Sequence, residues 1–324
     1  MLTRVLRTAA ATLAHTFYVD ETPTDPTGTP TYVVEDVNGT QVATGDGTVV
    51  TGEGRVTATL AGQSTLTRAT VTWSATVAGT AVIETDQVEI VGGRFFTLVE
   101  GRGSDASLAD SNKYTTADLV VALLEVEQEC ETICDRAFVP RYERVVLDGT
   151  GTRELVVRHP DPVRSFADIR SLRRVAVAPR YGEAAVDLTS GQLGAVAVTQ
   201  DAVLLRTDGL AWTEGRSNVV VELEYGWDAP PTDLVRAAKR RFRYWLNANK
   251  SGVPDRAVSF TAQNGATYRI DLPDAWKTGI PDVDAAYSRY SRRQESGTDG
   301  RAVPASRSLD FNPQRDSLFH GGVR

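Results

Sequence analysis

Cysteine is nearly absent from this 324-residue chain, which contains only two, Cys130 and Cys134. A disulfide framework needs several paired cysteines, and two cysteines four residues apart in one predicted helix are poorly placed to bond to each other. CxxxC spacing without a nearby histidine is also a weak metal signal. We therefore interpret both residues as small apolar core residues of a reduced, intracellular protein.

Residues that usually carry catalysis are also sparse. The three histidines, His15, His159 and His320, are spread over the chain, and none stands beside a plausible nucleophile. The sequence lacks the GxxxxGK[ST], HExxH and GxSxG motifs. Asp282 and Asp284 could pair as catalytic carboxylates, but acids at a proline-initiated helix start are favoured by the helix dipole. We assign no catalytic, cofactor-binding or metal-binding residue and predict that the protein is not an enzyme.

Long apolar runs are missing as well, and none approaches the ~18–20 residues that span a membrane. Residues 1–14 superficially resemble a signal peptide, but Arg7 interrupts the run, so we expect a β-strand and no membrane partner. The net charge of -7 is modest. It argues against a protein that binds nucleic acid over its whole surface.

Residues 1–100 predict an all-β sandwich. Asn38-Gly39 between alternating segments is a strong hairpin signal. From Arg68 to Val77, apolar and polar residues alternate around Trp73, as expected for a half-buried strand. About seven short strands in ~100 residues suit an immunoglobulin-like sandwich of the cysteine-free kind.

The rest of the chain predicts a linker at 101–112, a mixed core at 113–293 and an extended C-terminal arm at 294–324. Thr115 and Asp118 have the spacing of a capping box at the start of the core. The following helix has an apolar stripe of Leu119, Leu123, Val126, Cys130, Ile133 and Ala137. The predicted parts of the core are a helix over 115–137, a β segment over 141–227, a helix over 232–249, a hairpin over 258–272 and a short helix over 281–293. The predicted fold class is therefore α+β.

Two helix faces carry concentrated charge. The first helix has the acidic residues Glu125, Glu127, Glu129 and Glu131. We interpret them as a solvated face, which in an assembly could line a subunit seam or a pore. The second helix has the basic residues Arg236, Lys239, Arg240, Arg241 and Arg243. These could neutralise phosphates without reading sequence, but a solvated or intersubunit face paired with glutamates is the reading we favour.

Several short signatures follow one another in a characteristic order. They are Cys134-Asp135-Arg136-Ala137-Phe138-Val139-Pro140-Arg141, Leu147-Asp148-Gly149-Thr150-Gly151, Pro162-Val163-Arg164-Ser165, Ala211-Trp212, Tyr225-Gly226-Trp227, the helix after Pro231, and Gly279-Ile280-Pro281-Asp282-Val283-Asp284 before Tyr290. With this order, residues 105–293 resemble the head-to-tail adaptor (connector, or head-completion) proteins of long-tailed double-stranded DNA phages. The N-terminal sandwich resembles the immunoglobulin-like domain that some phage structural proteins carry.

The resemblance implies a ring of identical copies, usually a dodecamer, in the virion neck. Such a ring is assembled in the bacterial host cytoplasm, lies between the portal protein and the tail or next neck protein, and extends the DNA channel. It implies transient, sequence-independent contact with the genome. Because DNA must slide, we expect the glutamates at 125–131 to lie nearer the channel than the cations at 236–243.

Strand addition to a partner's sheet would suit the predicted hairpin and arm. The candidate partner-binding residues are Asn264, Gly265, Phe311, Leu318 and Phe319.

Three other readings stay open from the sequence. The threonine-rich sandwich and five tryptophans also suit a secreted carbohydrate-binding or adhesion protein. A different phage neck or tail component would share this style of small helical and β modules. An enzyme with an unrecognised site at the junction between sandwich and core is the third.

Overall fold

The computed structural model describes residues 2–160, 166, 168–180, 182–199, 201–248, 259–261, 267–269 and 276–292. Within these residues the chain is α+β, as the sequence predicts, with a β-sandwich first and helices later. The predicted arm at 294–324 lies outside the described residues. So do Asn264 and Gly265 of the predicted hairpin turn.

The first part is a sandwich of two sheets. Its strands are β1 Leu2–Leu6, β2 Ala11–Thr16, β3 Tyr18–Val19, β4 Thr22–Pro23, β5 Thr27–Asp36, β6 Gln41–Asp46, β7 Thr48–Val50, β8 Arg55–Leu60, β9 Thr67–Val77 and β10 Thr80–Val91. One sheet has the order β1-β10-β9-β5-β6, and the other has the order β2-β8-β7, while β3 and β4 pair as a separate two-stranded sheet. The predicted alternation in β9 is confirmed, since Ala69, Val71 and Trp73 all point into the core.

Gly47 marks a transfer of the chain between the two sheets. β6 continues to Asp46 in the larger sheet, and β7 begins at Thr48 in the smaller one. A Cβ atom at Gly47 would lie 2.4 Å from the Val56 side chain. The glycine therefore lets the chain pass close to the sandwich core as it changes sheet.

The predicted linker at 101–112 is wrong in part, because much of it is helical. Helix α1 spans Leu98–Gly103, and a 3₁₀ helix spans Ala106–Ala109. Thr97 and Glu100 form a capping box at the start of α1. Gly101 is buried against Phe96 and Phe242, so its small size allows close packing.

Three longer helices build the second core. They are α2 Thr116–Cys134, α4 Thr232–Ala248 and α5 Pro281–Tyr290, and a short α3 spans Ser190–Gly194. The capping box of Thr115 and Asp118 is confirmed. α2 ends three residues before the predicted boundary, because Asp135 adopts a left-handed conformation with φ of 49°. The predicted apolar stripe is buried, and both cysteines are free and buried within it.

A β layer lies between α2 and α4, as predicted. Its strands are β11 Arg141–Gly149, β12 Glu154–Val156, β13 Ile169–Val177, β14 Val186–Asp187, β15 Val196–Val198, β16 Val203–Arg206 and β17 Gly215–Tyr225. They form sheets of order β11-β17-β13-β14 and β12-β16-β15 around the buried Trp212. β18 Ser259–Thr261 and β19 Thr267–Arg269 pair antiparallel, in agreement with the predicted hairpin.

Candidate functional site: the charged junction and the helix faces

A sharp corner after α2 carries the chain from the helical core to the β layer. Phe138 packs in the helical core, and the carbonyl oxygen of Pro140 accepts a hydrogen bond from the Gly92 amide at 2.8 Å. Arg141 then opens β11 and is 3% exposed. The Phe138–Arg141 signature thus places a guanidinium group inside the protein, where the sandwich, α2 and the β layer meet.

Five charged side chains are buried together at that meeting point, which we call the junction cluster: Arg4 of β1, Glu89 of β10, Glu127 and Glu131 of α2, and Arg141 of β11. Arg4 contacts Glu89 at 3.1 Å and Glu127 at 2.9 Å, and a third nitrogen lies 3.4 Å from Glu131. Arg141 donates to both carboxylate oxygens of Glu89, at 2.8 and 2.6 Å, and also pairs with Glu131.

The electrostatics of the cluster differ between its carboxylates. Burial alone would raise the pKa of Glu89, but the charges of Arg141 and Arg4 outweigh it and lower that pKa to about 2. Burial raises the pKa of Glu127, and Arg4 and the Phe95 amide offset this only in part. Glu89 is therefore firmly anionic, whereas Glu127 is the carboxyl group of the cluster that burial pushes towards its neutral form.

Further polar contacts connect the sandwich to the β layer. Arg68 pairs with Glu143 at 2.8 Å, and the side-chain Nδ2 of Asn38 donates to Glu222 at 3.1 Å. Buried ion pairs contribute little net stability, because desolvation offsets the attraction, but breaking one of them is costly. The cluster and these contacts therefore fix the orientation of the sandwich relative to the rest of the chain.

Acid is expected to weaken the junction cluster through Glu89. Because its folded pKa of about 2 lies below the ordinary 4.5, the carboxylate contributes stability above pH 4.5, and this is lost as the pH falls towards 2. A shift of this size corresponds to about 3 kcal/mol of unfolding free energy. Glu127 acts in the opposite direction, since its pKa is raised. Urea unfolding between pH 7 and pH 3 measures the balance.

The Glu89→Gln variant should show a smaller acid-induced loss than the native chain. Glu53→Gln is the matched control, because Glu53 is 53% exposed and pairs only with the exposed Arg55 among the described residues. It should keep the native pH dependence. Equal acid-induced losses in Glu89→Gln and the native chain would show that Glu89 is not the source.

The prediction that the glutamates of α2 form a solvated or channel-facing group is wrong for two of them. Glu127 and Glu131 are 2% and 0% exposed and belong to the junction cluster. Glu129 accepts two hydrogen bonds from Arg241, at 2.6 and 2.8 Å. Glu125 alone among the four is exposed. In the sequence, the only sign that such a carboxylate is buried is its position beside the apolar stripe. Its partner could not be found in this way, because Arg4 is 123 residues away from Glu127.

The basic side chains of α4 are largely neutralised within the chain. Besides the Arg241–Glu129 pair, Arg240 pairs with Asp282, and Arg243 lies 2.9 Å from Asp105. The Lys239 ammonium lies 4.0 Å from Glu100. Arg236 is exposed, and no acidic partner for it occurs among the described residues. This pattern agrees with the interpretation of a face paired with acids rather than one arranged for phosphates.

The glycine signatures that carry the resemblance form structural corners. Gly226 has φ of +95°, and a Cβ atom there would lie 2.4 Å from the carbonyl oxygen of Val139. Trp227 then donates its backbone amide to Ala137 at 3.1 Å and its indole nitrogen to Asp168 at 2.9 Å. These residues hold the end of the β layer against the end of α2. Their role is therefore structural.

His15 has a polar setting that the sequence did not predict. Its two ring nitrogens lie 2.7 Å from Asp86 and 2.8 Å from Glu84, and its ring stacks on Trp73. These contacts connect β2 of one sheet to β10 of the other. No sequence signal pointed to this, because the residues are about 70 positions apart.

Metal-binding groups and membrane-spanning helices were sought among the described residues. No group of three or more histidine, cysteine or acidic side chains is arranged there to hold a metal ion. None of the helices described is long and apolar enough to cross a bilayer. Phe311, Leu318 and Phe319 lie outside the described residues, so their predicted partner-binding role stays a prediction.

The chain matches no known protein family, and no curated protein matches its sequence. Among solved structures, it is similar to a chain described as "Virion of native gene transfer agent (GTA) particle", with 13% identity and a TM-score of 0.40. That similarity covers 62% of this chain and 92% of the other.

Proposed function

We propose that this chain is a structural protein of a phage or phage-like virion, and that its copies form the neck ring that joins the portal to the tail or to the next neck protein. Its role is binding and not catalysis. The partners are other copies of the chain, the portal protein and the neighbouring neck or tail protein. DNA passing through the ring makes only transient contact with it.

The observation that carries this proposal is how the described residues between 105 and 292 fold. α2, α4 and α5 share one apolar core, in which Leu123, Phe242 and Tyr287 are buried. The β layer is inserted between α2 and α4 in sequence. This is the order of parts on which the resemblance to head-to-tail adaptors rests.

The junction cluster supports the role of a rigid connector. A protein that connects two large assemblies has to hold its own parts in one orientation. Arg141 and Arg4 both bridge the sandwich residue Glu89 to α2 of the helical core. This arrangement suits a rigid connector better than an adhesion protein with an independently mobile binding domain.

Of the four glutamates predicted to lie near the DNA channel, the exposed one is kept as a candidate. Glu125 is the exposed glutamate of the predicted group, and it remains the candidate for the channel side. On α4, Arg240, Arg241 and Arg243 are held by acidic partners. A surface with paired charges allows DNA to slide, because little counterion release accompanies each contact.

The test is the mass and shape of the purified full-length protein, alone and mixed with the portal ring encoded in the same genome. Native mass spectrometry and negative-stain microscopy should show a ring-shaped oligomer, or capture of one ring of copies on the portal. A portal ring from an unrelated phage is the control and should capture none.

A persistent monomer that ignores its own portal would contradict the adaptor role. Deleting residues 294–324 should weaken portal capture if the arm contributes to binding. Undiminished capture by the shortened protein would remove the arm from the proposal but leave the ring in place. Glycan binding by the full chain, without ring formation, would favour the adhesion alternative.

A further inference from the structure

Helix α2 has an apolar outer face that the described residues leave uncovered. Its inner face packs in the core through residues such as Leu119 and Leu123. On the outer side, Val120 is 38% exposed, and Val121 and Leu124 are partly exposed. A surface helix normally presents polar residues to solvent. The outer face of the N-terminal half of α2 instead has the apolar composition of a face that packs against another segment.

This outer face forms one wall of a groove, and strand β1 forms the other. Leu2, Thr3 and Arg94 line the groove opposite Val120 and Leu124. In the described part of the chain, β1 pairs with β10 alone, so β1 is an edge strand. On this edge the Arg94 guanidinium donates to the Arg4 carbonyl oxygen at 2.9 Å, and the Ala9 amide donates to the Leu6 carbonyl oxygen at 3.2 Å. An added strand would pair with the remaining backbone groups of the edge and place alternate side chains against the apolar wall.

We propose that this groove binds residues 308–311 of the same chain as an added extended segment. The first argument is where the described chain ends. The Ser291 hydroxyl donates to the carbonyl oxygen of Ile133 at 3.1 Å, and the Arg292 amide donates to that of Cys134 at 2.9 Å. The remaining 32 residues therefore start at the C-terminal end of α2, the helix that forms the groove wall.

Chain length allows the segment to reach the groove. Fourteen residues separate Cys134 from Val120, which corresponds to about 21 Å along the helix. The seventeen residues from 293 to Leu309 can extend to about 55 Å. The distance is therefore covered with enough slack for the chain to turn.

The sequence of the segment fits a strand whose one face is apolar. Leu309 and Phe311 are two residues apart, so both point to the same side of an extended chain. Between Pro304 and Pro313 there is no proline, so every amide is available for pairing. Leu318 and Phe319 are adjacent and would point to opposite sides. The 308–311 segment therefore suits a one-sided groove better than the later apolar pair.

The docked segment gives the apolar face of α2 a cover within a single chain. This binding stands whether or not the chain forms a neck ring.

Engineered cysteines in the full-length protein test the docking. The pair V120C and F311C should form a disulfide within one chain under mild oxidation, seen by mass spectrometry as a monomer that has lost two hydrogens. Cys130 and Cys134 are fully buried and should not compete. V156C with F311C is the control: Val156 is 49% exposed, lies on β12 and should give little disulfide. Only disulfide-linked dimers, or no disulfide above the control, would overturn binding within one chain.

Hydrogen exchange gives a second readout that needs no new cysteine. Replacing both Leu309 and Phe311 with serine should raise exchange of the amides in β1 by about tenfold or more, because local protection follows local stability. The matched variant replaces Leu318 and Phe319 with serine and should leave β1 unchanged. Unaltered β1 exchange in the first variant would overturn the proposal, without affecting the ring test above.

Discussion

Replacing Arg141 with methionine is expected to destabilise the protein by about 3–5 kcal/mol, the usual cost of removing one partner from a buried ion pair. Arg141 neutralises Glu89 from the sandwich and Glu131 from α2. Without it, Arg4 is the cation of the junction cluster that remains against three buried carboxylates, and these cannot be solvated. Urea unfolding at pH 7 measures the loss.

The surface variant Arg55→Met is the matched control for this prediction. Arg55 forms an ion pair with Glu53, but both side chains are about half exposed. Exposed pairs contribute about 0–1 kcal/mol, so this change should have little effect. If Arg141→Met lowered the unfolding free energy by less than about 1 kcal/mol, the junction cluster would not be an important connection between the sandwich and the rest of the chain.

A double-mutant cycle separates the ion pair from the bulk of the arginine side chain. Glu131→Gln combined with Arg141→Met should lose less stability than the sum of the two single changes, because the unpaired charge is removed together with its partner. Strict additivity would mean that Arg141 and Glu131 are not energetically coupled.

Gly149→Ala is expected to cost about 3 kcal/mol, at the upper end of overpacking effects. An ideal Cβ atom at Gly149 would lie 1.8 Å from the carbonyl oxygen of Thr213. The Gly149 amide also donates to the buried Asn218 side chain at 2.8 Å, and Asn218 in turn donates to the Thr213 carbonyl at 2.9 Å. A methyl group must displace backbone here, and that disturbs a buried hydrogen-bond network as well.

Gly191→Ala in α3 is the control for the glycine prediction. A Cβ atom at Gly191 meets no heavy atom within 4 Å. Alanine favours a helix over glycine by up to about 1 kcal/mol, so the control should be neutral or slightly stabilising. Thermal unfolding of both variants decides the matter, and equal melting temperatures would show that the corner at Gly149 tolerates a side chain.

Local sequence patterns determined most of the secondary structure. Alternation around Trp73, the capping box at Thr115 and the glycine at position 39, where φ is +77°, each act within a few residues of the chain. Such features are fixed by neighbouring sterics and hydrogen bonds, so the sequence alone predicts them. The α+β class follows from their order along the chain.

Short glycine-containing segments misled the prediction where packing decided the outcome. Gly101 and Gly103 suggested a linker, yet they end a capped helix, and Gly101 fits against Phe96 and Phe242. Glycine allows flexibility and close approach equally. Which of the two applies at Gly101 depends in part on Phe242, which is more than a hundred positions away.

The sequence by itself determined the two-part organisation, the positions of the main helices and the absence of familiar catalytic motifs. Only the tertiary structure decided what the charges do. In the sequence, Glu127 and Glu131 differ from Glu125 only by their position beside the apolar stripe, yet folding places Arg4 and Arg141 beside them and leaves Glu125 in solvent. The reason is physical: the state of a charged side chain depends on the dielectric and the countercharges around it, and distant segments supply both.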